Sequence, residues 1–175
     1  MSQASKQVSW CLNKADKELA ECKRLGKRPK HRGLREVPQN DEEAKGHIEK
    51  ALHDLKATEY LLNGKFSDVG AGTIFYAMYH CFLAIAAKFG YESGNQTCTI
   101  SLIEYLKEQG KIDIDAKFIE IFKYEEGDVQ EESAIDMREN STYGVKIATN
   151  EKKINELLII CKELIDKTKE IVYKQ

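Results

Sequence analysis

Apolar residues recur at helical spacing along most of this chain. In residues 4–25 the stripe is Val8, Cys11 or Leu12, Ala15, Leu19, Cys22 and Leu25, with Gly26 as a stop. A second helix is predicted from near Asn40, which can cap it, with Asp41, Glu42 and Glu43 at the positive end of its dipole and Glu43 placed for a capping box. Its stripe is Ala44, Ile48, Ala51, Leu52, Leu55 and Leu62, and Asn63-Gly64 ends it. A third helix runs from Ser67-Asp68 to Phe89. Ile74, Phe75, Met78, Phe82, Ile85, Ala86 and Phe89 form one face, and Ala77, Ala84 and Ala87 make much of the other apolar too. A helix apolar nearly all round belongs in the middle of a bundle. Shorter helices are predicted near 99–109 and 115–125, and a weaker one over 128–141. The last, from about Asn150 to Tyr173, carries the clearest stripe, from Ile154 to Val172. No strand alternation of useful length is found, although Gly144-Val-Lys-Ile has the look of a short extended piece. The fold class is therefore all-α, an antiparallel up-and-down helical bundle with the second, third and last helices as its spine.

Composition adds little until it is divided along the chain. The net charge is −2, but residues 1–35 hold ten Lys/Arg against three Asp/Glu, and residues 36–175 hold seventeen against twenty-six. The excess sits in KRLGKRPKHRGLR, Lys23 to Arg35, with seven Lys/Arg, one His and no acid. Glycine and proline mark this stretch as a linker, so 1–40 is expected as an N-terminal helix plus basic linker and 41–175 as the bundle. Charge alone would let the linker touch a phosphate backbone, though it has no aromatics to stack on bases. The five cysteines are odd in number, with no C-x-x-C pair, and are expected as reduced thiols in a cytoplasmic protein. The apolar segment Ile74 to Ala87 is too short and too marked by Tyr76, Tyr79 and His80 to span a bilayer.

Candidate chemistry is sparse. His31, His47, His53 and His80 show no metal spacing, and neither metal nor cofactor is expected. GKF at 64–66 and VGAGT at 69–73 lack the rest of a phosphate loop and are expected to be packing glycines. Cys81 is expected to serve packing. Tyr76 and His80, four apart, share a helix face and either pair in the interior or line a cleft or dimer seam. The strongest candidate is MRENSTYGV, Met137 to Val145. Arg138 is the only arginine after Arg35, in a stretch whose other sixteen cations are lysine. A guanidinium grips a carboxylate or phosphate with two parallel bonds, which lysine cannot do. Arg138 either clamps a carboxylate within the chain or grips an anion from outside. The hydrogen-bonding run Glu139, Asn140, Ser141, Thr142 and Tyr143 follows it at the expected helix end.

The chain resembles the HEPN domain family (higher eukaryotes and prokaryotes nucleotide-binding) in three stretches. Residues His47 to Ser93 carry A-x-x-D-L-x-A on one helix and F-Y-A-M-Y-H on the next. The late arginine segment and the closing amphipathic helix are the others. The resemblance implies a helical bundle that pairs as a homodimer. It also implies one of three roles: a metal-independent endoribonuclease, a toxin component partnered with a minimal nucleotidyltransferase, or a non-catalytic module that binds RNA or a nucleotide. In catalytic members an arginine is followed a few residues on by a histidine. Arg138 matches the arginine, but Tyr143 stands five residues on, and no histidine follows His80. An unperturbed tyrosine is ionised only about one part in a thousand at neutral pH, whereas histidine titrates there. The expected site is thus Arg138 and Tyr143 as catalytic candidates, with Arg138, Glu139, Asn140, Tyr76 and His80 as binding residues and cleavage weak or lost.

Overall fold

The computed structural model describes residues 2–123, 134–144 and 151–174, without the side chains of Ser141 and Glu151. Helix α1 spans Gln3–Arg24, with the Ser2 hydroxyl accepting from Ser5 N–H as its N-cap. The chain then turns into a short strand, β1 (Leu34–Glu36). Helices α2 (Asp41–Asn63) and α3 (Ser67–Lys88) form an antiparallel hairpin. Asn40 caps α2 by accepting from Glu43 N–H, and its own amide donates to the Glu43 carboxylate. Strand β2 (Tyr91–Ser93) is followed by α4 (Gln96–Glu108), capped by Asn95, and the single turn α5 (Lys117–Glu120). Then come α6 (Ala134–Tyr143) and α7 (Glu151–Tyr173).

This is an all-α bundle, and α3 is its centre, packed on α2, α4, α6 and α7. Phe75, Phe82 and Phe122 meet edge-on and tilted in the core, with ring centroids 5.4 and 4.9 Å apart. The glycines near the start of α3 pack as expected: a Cβ on Gly70 would lie 3.1 Å from Leu62. Helix α3 has the length and apolarity to cross a membrane, correcting the expectation that its segment is too short, but 67% of that stretch is buried inside the bundle. The α7 stripe is likewise filled: Ile154, Leu157, Cys161, Leu164, Ile165 and Val172 are buried.

Two features depart from the sequence expectation. Residues 34–36 pair antiparallel with 91–93 in the register Leu34↔Ser93, Arg35↔Glu92 and Glu36↔Tyr91. The cause is the hairpin itself. Helices α2 and α3 are almost equally long and antiparallel, so the segment entering one meets the segment leaving the other. Val37 N–H donates to Gly90 C=O and Asn40 N–H to Ala87 C=O. The linker is therefore tied to the bundle. The second departure is Cys11–Cys98, a disulfide joining α1 to α4, so these two cysteines are not the reduced thiols expected. They lie 87 residues apart in sequence, and their approach follows from packing rather than spacing. Cys22, Cys81 and Cys161 are free. Burial pushes the Cys161 thiol up to about 12 and raises Cys81 as well, so neither is a nucleophile.

Helix boundaries also move. Of the helix expected at 115–125, residues 124–125 lie outside the described residues and the described part is helical over Lys117–Glu120, and α4 begins earlier than expected, at Gln96. Of the helix expected over 128–141, residues 128–133 lie outside the described residues, as do residues 145–147 of the expected extended piece.

Candidate functional site

Arg138 lies in the middle of α6, not at its end, because the helix continues to Tyr143. Ala134, Ile135 and Met137 are buried and fix α6 against α3. That packing lays the guanidinium of Arg138 over the face of Phe75, 5.3 Å from the ring centre. Its side chain is only 17% exposed. One terminal nitrogen donates to Glu139 Oε1 at 2.8 Å, while the buried Nε has no hydrogen-bond partner. A buried donor without an acceptor costs on the order of 1–3 kcal/mol, and the ring face returns part of that through cation–π attraction. The Glu139 carboxylate is half exposed, so Arg138 is not locked to an interior acid.

The other expected residues divide. Tyr143 is 81% exposed, and five helical steps place it about 140° round α6 from Arg138. The tyrosine and arginine therefore do not converge within one chain. Asn140 lies at the solvent-facing end of α6, where its carbonyl accepts from Gly144 N–H. Tyr76 is 44% exposed and touches the edge of Phe75, beside the ring that carries Arg138. Tyr76 and His80 are thus not a shared interior pair. Tyr76 opens on solvent, and His80 turns to α2.

Sequence spacing did not reveal what His80 meets there. His47 Nδ1 and His80 Nδ1 are 3.0 Å apart, with ring centres 5.1 Å apart. That is close to the widest separation two five-membered rings can have at this nitrogen distance. The nitrogens therefore point nearly at each other and share one proton, rather than converging on a third atom. His80 Nε2 lies 3.9 Å from Asp54 Oδ2, and Lys50 pairs with Asp54 Oδ1. Asp54, only 7% exposed, is the D of A-x-x-D-L-x-A, and His80 is the H of F-Y-A-M-Y-H. The two helix motifs therefore meet in one polar cluster. One turn further along α2, Thr58 Oγ1 and Thr73 Oγ1 are 2.7 Å apart.

Burial holds both imidazoles below their ordinary value of 6.5; Glu43 opposes this at His47, and at His80 the His47 ring adds to the lowering while Asp54 opposes it. The unfolded chain then binds more protons than the folded one between the depressed values and 6.5, so stability is present above that window and falls as pH drops through it. The expected result is a lower urea midpoint at pH 5.5 than at pH 7.5. In His47→Gln/His80→Gln that drop shrinks; an unchanged pH dependence would remove the pair as its source.

A HEPN domain model matches residues 44–171, most of the described chain from α2 through α7. The chain belongs to the HEPN family. No curated protein matches the sequence. Membership places this HEPN chain among domains with a nucleotide- or RNA-related function or a nuclease-like role.

Proposed function

We propose that this HEPN domain acts as a homodimer that binds RNA or a nucleotide phosphate through Arg138, with nuclease activity weak or lost. The observation that carries this reading is a guanidinium whose buried Nε finds no acceptor among the described residues. Arg138 is seated on Phe75, its Nε is buried without an acceptor, and its carboxylate neighbour Glu139 is solvent-facing. A phosphate can take the place of Glu139 and gain two charge-assisted bonds at once. The exposed α3 residues Val69 and Tyr76 give a second copy an apolar strip to cover beside the arginine. Tyr143 at the position of the family's histidine supports binding over turnover, since a positioned acid or base is typically worth about 10²–10⁴ in rate. The reading with a nucleotidyltransferase-type partner and no nucleic acid loses its main support, because the α7 face it would use is already buried.

Arg138→Ala is expected to weaken RNA binding by about 10–100-fold at matched salt, as loss of charged hydrogen bonds requires, and Arg138→Lys is not expected to restore it. Metal-independent cleavage that survives EDTA should appear, if at all, in Tyr143→His. Unchanged binding by Arg138→Ala would place the site elsewhere, and sedimentation showing only monomer at micromolar concentration would remove the dimer.

A further inference from the structure

We infer that the basic segment Lys23 to Arg35, together with one face of α1, is a second RNA-binding surface, one that recognises the phosphate backbone of a single strand. It lies outside the residues matched by the family model, and it rests on the proposal that the chain's ligand is RNA.

The segment is built as a fixed strap. Lys27 N–H donates to Cys22 C=O at 2.9 Å, and Cys22 Sγ donates to Lys30 C=O at 3.6 Å. Arg32 N–H donates to the Glu18 carboxylate. The His31 side chain is only 5% exposed and reaches Glu92 Oε1 at 3.1 Å, and Gly94 N–H donates to Gly33 C=O at 3.0 Å. Strand β1 continues the strap into the bundle. Holding the backbone in place removes part of the ordering cost that a disordered basic arm would incur on binding.

The strap's charges are left over. Two of the acids around it are paired with cations, Glu21 with Arg24 and Glu92 with His31 and Arg35, while Glu18 accepts the Arg32 backbone N–H and keeps its charge against the surrounding cations. Among the described residues, Lys23, Lys27, Arg28, Lys30 and Arg32 are exposed and make no ion pair. Lys17, Lys27, Lys30 and Arg32 line a groove of about 430 Å³, which Glu18 and Glu21 of α1 line as well.

The line on α1 extends this groove. Trp10, Lys14 and Lys17 recur at four- and three-residue steps and so share one face. Trp10, the chain's only tryptophan, is 53% exposed, and Lys14 Nζ sits 4.9 Å over its ring. The seven helical steps from Lys17 back to Trp10 cover about 10 Å, within reach of a strand whose phosphates lie in the groove. A cationic track with an exposed aromatic is the arrangement that binds single strands without reading sequence: charge holds the backbone and the ring stacks a base. The strap itself has no aromatic; folding supplies one from α1.

The test is fluorescence titration of the full chain with a short labelled single-stranded RNA of mixed sequence, across a range of salt. Lys27→Gln/Arg28→Gln/Lys30→Gln/Arg32→Gln is expected to lower the slope of log affinity against log salt by about 0.7 for every phosphate that is no longer neutralised. Trp10→Ala is expected to lower affinity for the labelled RNA while leaving that slope unchanged, because a ring that stacks a base neutralises no phosphate. Arg138→Ala should lose affinity but keep most of the slope. If the parent binds RNA and the fourfold variant keeps the parent's slope, the strap proposal fails while the Arg138 reading stands. If the parent binds no RNA, the strap proposal fails, and of the Arg138 reading only binding of a nucleotide phosphate is left. Binding of the parent to anionic phospholipid vesicles and not to RNA overturns the strap as an RNA surface.

Discussion

Phe82→Ala will destabilise the protein by about 3–5 kcal/mol, the usual cost of removing a fully buried phenylalanine. Phe82 has no exposed surface. It sits on α3, which packs against α2, α4, α6 and α7, and its ring centre lies 4.9 Å from that of Phe122. The ring is fully buried on the helix that four others pack against, so the bundle has little freedom to collapse onto the space left behind. For a domain of this size the loss corresponds to a fall in melting temperature of roughly 10 °C. Urea denaturation should show a lower midpoint at unchanged slope. Tyr76→Ala, on the exposed side of the same helix, is the comparison and should move stability by less than about 0.5 kcal/mol. Phe82→Ala as mild as Tyr76→Ala would mean that α3 is not the centre of the core.

Gly33→Ala should detach the strap. A Cβ at Gly33 would lie 2.2 Å from the Cys11 carbonyl oxygen and 2.8 Å from the Ala15 amide nitrogen. Both are backbone atoms of α1, and the helix cannot yield without breaking its own hydrogen bonds. The expected cost is about 1–3 kcal/mol, concentrated where β1 leaves α1. Limited trypsin digestion reads this directly, because Lys27, Lys30 and Arg32 are cleavable sites on the strap. Cleavage there should be about tenfold faster than in the parent, in line with a local loss of about 1.4 kcal/mol. Gly26→Ala is the control. Gly26 has a positive φ of 62° but nothing within 4 Å of its would-be Cβ, so it carries conformational strain without the clash. Equal trypsin rates for Gly33→Ala and the parent would show that close approach to α1 does not hold the strap.

The long helices were legible because each satisfies a local rule. Asn40 and Glu43 mark the start of α2 by capping, and the near-continuous apolar surface of α3 marks a helix surrounded by others. The short α5 was overextended because Phe118, Ile119 and Phe122 look like a longer stripe, whereas three buried side chains need only one turn. Arg138 stood out by composition, but its seat on Phe75 did not, since a ring and a guanidinium 63 residues apart share no periodicity. His47 was passed over for the same reason: it has no spacing relation to His80, and only the α2–α3 hairpin sets them nitrogen to nitrogen.

The amino-acid sequence by itself determined which segments are helices, which faces they bury, and where a lone guanidinium and a block of cations must sit, because caps, stripes and composition act within a few turns of chain. Tertiary structure alone decided that Cys11 bonds Cys98, that residues 34–36 pair with 91–93, that His47 shares a proton with His80, and that Trp10 joins the basic groove. Each of those depends on the relative placement of two elements, and that placement is set by how whole faces pack, which no single stretch of sequence encodes.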